Sequence, residues 1–255
     1  MWPMQRLGEL RPRWLACDAG KAQLLQARLL GLSGLLPAEL TRSKTAADRY
    51  LRGVWDQWWR ERDEFGDVIL PRAVWRLHGL RPANHPQRRL ALAAGWSVDG
   101  CLSAKLESWC AKDLPGNQMC GSLLEALQVE PDDFWSWHWT LRSARLKQER
   151  PLLGATRVAD FAMNVVIPWL WIRAVEGKNQ EMQNRLEKRY FEWPAAEDNS
   201  LLRLARERLL GGKDRGALPG AAAQQGLIQI VRDFCDHSNS ICEKCQLPDL
   251  VQLRT

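Results

Sequence analysis

The sequence predicts an all-α fold, an irregular multi-helix array of about nine or ten helices. Three observations predict it. Apolar residues recur at spacings of three and four through most of the chain. The every-second-residue alternation of a half-buried strand is almost absent. Prolines and glycines interrupt the helical pattern at short intervals, so the helices are many and irregular rather than few and long.

Residues 20–36 carry Leu24, Leu25, Leu29, Leu32 and Leu36 on one face, and Pro37 ends that helix. From Ala38 to Glu64, Ala47, Tyr50, Leu51, Val54, Trp55, Trp58 and Trp59 share a face opposite Arg49, Arg52, Asp56, Arg60, Glu61 and Arg62, which predicts a long helix. A turn follows at Phe65-Gly66-Asp67, then a short element with Trp75. Residues 79–86 read as a loop leading into a helix, with Asn84 as N-cap and Pro86 in the first turn. Leu90, Ala93 and Ala94 supply its inward face. Short helices are expected over 101–111 and 121–128, around a turn at 115–117.

Pro131-Asp132-Asp133 can cap a further helix carrying Phe134, Trp135, Trp137, His138 and Trp139. Thr156 opens the most apolar helix, lined by Ala159, Ala162, Met163, Val166 and Leu170, with Pro168 expected to kink or divide it. Residues 178–190 and Asn199–Leu210 are expected to form two more helices, 211–216 a loop, and about Pro219 to Phe234 the last helix before a cysteine tail. The chain reads as a single helical domain over 1–255, with a soft division near 111–130 and a Cys-motif tail at 235–247.

The chain has 255 residues, 45% of them hydrophobic and 26% charged, which excludes a disordered or collagen-like protein. It holds 14 Trp against 5 Phe and 2 Tyr. At helical spacing such rings serve as bulky fillers between poorly aligned helices more readily than as stacking surfaces for bases. The formal net charge of +6 permits a phosphate-bearing partner without requiring one. The most apolar stretch, Phe161 to Val175, is about fifteen residues long and contains Asn164, Pro168 and Arg173, too short and too polar for a bilayer span. Met1 to Arg6 has no apolar region after its basic residue, so a secretory signal is not expected. Seven Cys without framework spacing then suggest reduced thiols, and the expectation is a soluble bacterial protein of the cytoplasm, off the membrane.

The segment Arg81-Pro82-Ala83-Asn84-His85-Pro86-Gln87-Arg88-Arg89-Leu90 resembles the "RPANxPxxRL" signature of the uncharacterised bacterial family called domain of unknown function 2851. Leu30-Gly31-Leu32-Ser33-Gly34-Leu35-Leu36-Pro37 is similar to that family's "lGqaGlLp" helix, and Leu153-Gly154 through Asn164-Val165-Val166-Ile167-Pro168 to its "LG…d…iNvviP" stretch. Glu197-Asp198-Asn199, Gly226-Leu227-Ile228 and the closing Cys235…Cys242-Glu243-Lys244-Cys245 resemble later blocks, so the likeness runs over roughly residues 18–247. The resemblance implies longer members that begin with a nuclease-like segment carrying "GPDF" and "GDVEIH" strings. None of these strings occurs here, which makes the chain read as the helical C-terminal portion, a separate gene product or a truncated one.

Two constellations carry chemistry. In the tail, Cys242 and Cys245 form a CxxC pair that can reach one ion from a single turn, with Cys235 and His237 completing a tetrahedral Zn²⁺ set. The alternative is an iron–sulfur cluster on Cys235, Cys242 and Cys245 with a remote thiolate such as Cys17 or Cys110, and the plain alternative is reduced thiols folded on the last helix. At the second, Arg81, Asn84, His85, Arg88 and Arg89 converge on a helix start, where free N–H groups and the dipole favour an anion or a nucleic-acid phosphate. The competing reading gives Asn84 to capping and Arg81 to loop carbonyls. No GxGxxG, no GxxxxGK followed by Ser or Thr, no HExxH and no GxSxG occurs, so no catalytic residue is assigned. The function expected is a non-catalytic helical scaffold or recognition domain, with a nuclease-like domain or protein as partner. The alternatives are a nucleic-acid-binding accessory module and an unrecognised hydrolase.

Overall fold

A computed structural model of the chain describes residues 3–15, 22–40, 46–211, 220–235 and 245–252. Among these the regular elements are all helical, and the all-α expectation holds. With the helical run at 155–176 taken as one, ten helices among the described residues have seven residues or more. The chain forms two compact units, Met1–Lys105 with Ala126–Gly154, and Leu106–Glu125 with Ala155–Thr255.

The first unit is built on α3 (Ala22–Leu32), preceded by α1 (Pro3–Glu9) and α2 (Arg11–Leu15). Every residue from Leu25 to Leu32 is buried, because α4 (Ala46–Glu61) and α5 (Pro86–Asp99) pack on either side of α3. α3 stops at Leu32, five residues ahead of Pro37, and the reason is local. Gly34 takes φ +65, and the Leu35 and Gly34 amides bond back to the carbonyls of Leu30 and Gly31 at 3.2 and 2.9 Å, the paired bonds of a glycine-ended helix. On α4, Leu51, Val54 and Trp58 point inward as the spacing predicts, while Trp59 turns out and stacks under Arg62, whose Cζ lies 3.9 Å from the ring centre.

The aromatic run after Pro131 is not a helix. Asp132 does cap it, accepting the amides of Phe134 and Trp135 at 2.9 and 2.6 Å, but the chain then continues as turns. Its backbone groups find partners elsewhere: Leu146 N–H donates to Trp137 O at 2.8 Å and Arg150 N–H to Ser136 O at 2.8 Å. The rings of Tyr50, Phe134 and His138 form a three-layer stack with centroid spacings of 4.0 and 4.3 Å. Beside the stack, the Tyr50 hydroxyl donates to Gln26 Oε1 and accepts Trp135 Nε1–H, both at 2.6 Å. Gln26 in turn donates to Asp132 Oδ2 at 2.7 Å.

The second unit holds most of α6 (Leu102–Ala111) and α7 (Gly116–Leu127). Next comes a rod made of α8 (Ala155–Phe161), a π turn (Ala162–Val166) and α9 (Ile167–Glu176). Pro168 does not divide the rod. The Ile167 N–H reaches back five residues to Ala162 O, and this wider turn lets the helix run through the proline. Asn164 is exposed, and its side chain donates to Asp160 O at 2.8 Å. The rod is therefore 22 residues long, with mean hydropathy 1.4 in its most apolar window. By length and composition it is long enough to cross a membrane, and the expectation of a fifteen-residue segment is corrected. Ala162, Met163, Val166, Ile167 and Leu170 are buried, and α10 (Gln180–Glu192), capped by Asn179, packs along α9.

α11 (Ser200–Leu210), capped by Asn199, pairs with α12 (Ala221–Ile230) through Leu202, Ala205, Leu227 and Val231. α12 runs on into a π turn at Val231–Cys235, and α13 (Leu247–Gln252) is an additional element. Trp109 and Trp193 meet edge to face at 6.1 Å, both fully buried.

Candidate functional site

The predicted anion site lies at the start of α5. Pro86 occupies the first helical position, as expected, but the cap is His85 and not Asn84. The Nδ1 of His85 accepts the Gln87 amide at 3.4 Å, whereas Asn84 ends a 3₁₀ turn (Pro82–Asn84) and accepts from Arg89 at 3.2 Å. Burial, with Arg72 nearby, holds the His85 imidazole below its ordinary range.

Arg88 separates from the other predicted residues. It is 1% exposed. One guanidinium nitrogen donates to the carbonyls of Trp135 and, at 3.0 Å, His138; the other donates to those of Arg150 and Pro151 at 2.7 and 2.8 Å. The Trp139 ring lies 4.7 Å from its Cζ. Burial pushes its pKa down to about 10, which leaves it cationic at neutral pH. A cation held by four carbonyl dipoles inside the first unit is a fastener and not a hand offered to a phosphate. Arg189 repeats the device in the second unit: it is 5% exposed, sits 4.9 Å from the Trp109 ring, and donates to the carbonyls of Trp109 and Lys112 at the end of α6. Arg185 adds a bond to Ala111 O at 2.8 Å, so three carbonyls around the end of α6, those of Trp109, Ala111 and Lys112, meet positive charge.

Gln87 is buried as well, and it pins two walls together, donating to Leu35 O at 3.0 Å and accepting Leu141 N–H at 3.2 Å. Between those walls lies a cavity of about 560 Å³. His85 lines it, joined by Arg72, Thr140 and Arg142, which the sequence reading did not single out because they come from distant loops. Arg81, just before the 3₁₀ turn, and Arg89, in the first turns of α5 and bonded to Asn84, are both exposed.

A family model described as a protein of unknown function, DUF2851, matches residues 3–200. The chain belongs to this family. In this DUF2851 chain the match takes in all the described residues of the first unit, the α5 start among them, and ends at the beginning of α11. The blocks at Gly226–Ile228 and Cys235–Cys245 lie beyond the matched residues. No curated protein and no solved structure matches this DUF2851 member.

Of the predicted metal ligands, His237 and Cys242 lie outside the described residues, as does Cys17. Cys235 ends the π turn after α12, and Cys245 stands two residues before α13, both half-buried free thiols. Cys110 is buried against Met182, with its sulfur 3.2 Å from the thioether, and burial pushes its thiol up. Among the described residues, no three His, Cys, Asp or Glu side chains gather as a metal set.

Proposed function

We propose that the chain is a non-catalytic helical recognition module whose first unit engages the phosphates of a nucleic acid. The observation that carries this reading is the division of charge. The first unit holds 21 Lys and Arg against 14 Asp and Glu, and the second 15 against 16, so the whole positive excess of the chain lies on one unit. Arg81 and Arg89 flank the α5 start on its exposed surface, where the dipole adds to their field.

Salt-dependent retention of duplex and single-stranded DNA tests the reading. The expected logarithmic slope is close to −0.9 per neutralised phosphate, and replacing both Arg81 and Arg89 with Gln reduces it by about two. An unchanged slope, or no retention at low salt, defeats the proposal. Arg88→Ala is not a usable probe, since it removes the fastener described above.

A specific observation favours a second reading, a scaffold for a protein partner such as a nuclease-like domain. Val165, Trp171, Ile172 and Val175 are 40–53% exposed on the rod of the second unit, and Phe191 is 68% exposed on α10. Cross-linking through photo-reactive side chains at Ile172 and Phe191 separates the readings: capture of a protein there with no DNA retention favours the scaffold. In either reading, we propose that Cys235, Cys242 and Cys245 hold Zn²⁺ together with His237, or an iron–sulfur cluster together with a remote thiolate such as Cys17 or Cys110.

A further inference from the structure

The cavity in the first unit has a composition that nucleic-acid binding does not use. Its floor is apolar and deep, with Leu35 1% and Leu141 4% exposed, and Leu36 and Pro37 continue it outward. Two arginines stand at the mouth. Arg72 and Arg142 are both exposed, both line the cavity, and neither guanidinium has an ion-pair partner among the described residues. Among the described residues that line the cavity there is no carboxylate to attract a cation and no Trp, Phe or Tyr ring. Gln87 is already committed to Leu35 and Leu141, and the Thr140 hydroxyl oxygen accepts the Arg142 N–H at 3.3 Å, which leaves the Thr140 O–H as a donor and the His85 Nε2 as polar groups for a ligand. About 560 Å³ lies within the range of small-molecule sites.

We infer that this cavity binds a small amphiphilic oxyanion, a molecule with one carboxylate or phosphate-monoester head and a short aliphatic body. The body lies over Leu35, Leu36, Pro37 and Leu141. The head reaches the mouth, where Arg72 and Arg142 can each present a guanidinium fork to it. The site is separate from the nucleic-acid reading and stands if that reading fails, because it requires neither Arg81 nor Arg89.

Calorimetric titration of the full chain tests the inference with four probes: octanoate, octyl phosphate, 1-octanol and inorganic phosphate. Octanoate or octyl phosphate is expected to bind at least tenfold more tightly than both octanol, which lacks the head, and inorganic phosphate, which lacks the body. The tighter of the two shows whether the natural source is a carboxylic acid or a phosphate ester. Equal binding supports the shared oxyanion class. Arg72→Gln and Arg142→Gln are each expected to weaken binding about tenfold. Both residues are exposed, so neither change disturbs the core. Ala38→Trp, at the exposed lip, is expected to abolish binding by filling the cavity while the melting temperature holds. Binding no tighter than that of octanol, indifference to both arginine changes, or no binding of either amphiphile at 10 mM overturns the inference.

Discussion

The six-membered ring of Trp58 lies flat against the bare Cα of Gly31: a Cβ at residue 31 would stand 2.1 Å from the indole. A single missing methyl thus sets the approach of α3 and α4. Three residues on, a Cβ at Gly34 would meet the Leu70 carbonyl at 2.2 Å and force an unfavourable positive φ as well. Gly31→Ala and Gly34→Ala are each expected to cost about 2 kcal/mol or more, read from urea midpoints. Gly121→Ala and Gly226→Ala provide the contrast. Both glycines are exposed within helices, with nothing near a new Cβ, and each change is expected to stabilise by about 0.5–1 kcal/mol. Equal losses at all four positions would show that packing against Trp58 is not the cause.

Arg88→Ala is expected to destabilise the chain by roughly 3 kcal/mol or more, since it leaves the buried carbonyls of Trp135 and His138 without that donor and releases the loop carbonyls of Arg150 and Pro151. Arg88→Lys rescues little, because one ammonium on a thin stem cannot reproduce two donating nitrogens and a flat face for Trp139. Arg89→Ala, on the exposed side of the same helix, is expected to stay within about 0.5 kcal/mol of the parent. Thermal melts of the three variants check the order.

The depressed pKa of His85 has a defined sign in stability. The unfolded imidazole titrates at about 6.5 and the folded one lower, so the unfolded state binds the proton first as pH falls. The contribution of neutral His85 is therefore complete above about pH 6.5 and is lost as pH drops through the folded value. His85→Ser keeps a capping oxygen for the Gln87 amide and removes the titration. The stability difference between pH 7.5 and pH 5 is expected to shrink in this variant, and an unchanged difference assigns the pH dependence to other groups.

Protein purified anaerobically is expected to carry close to one equivalent of zinc, or the iron and sulfide of a cluster, and to lose it on Cys242→Ser or Cys245→Ser. Elemental analysis at less than about 0.2 equivalents of either metal defeats the assignment of Cys235, His237, Cys242 and Cys245.

Much of the helical layout was legible in the sequence because apolar spacing reports directly on which face is buried. Leu51, Val54 and Trp58 on α4, and Leu90 and Ala94 on α5, are buried as their spacing requires. The α5 start was legible to within one residue, with Pro86 fixed by its missing N–H and the cap shifted from Asn84 to His85. The run from Phe134 to Trp139 was not legible as turns. Its backbone is satisfied by Arg88 and by residues 146 and 150, and partners so distant leave no local pattern. For the same reason a charged residue inside a basic motif read as surface: nothing near position 88 in the chain shows that four carbonyls surround it. The cavity mouth was equally hidden, because Arg72, His85 and Arg142 meet only through the fold.

The partners that close on Arg88 lie 47 to 63 residues downstream, and residues Leu106–Glu125 between them belong to the other unit. In chain order these carbonyls follow α3, α4 and α5, so the set that holds Arg88 is complete only once position 151 has been made. The first unit cannot be finished until part of the second has been made, and the second waits for residues beyond 155. The two units are interleaved in translation order, so no single cut in the gene separates them intact.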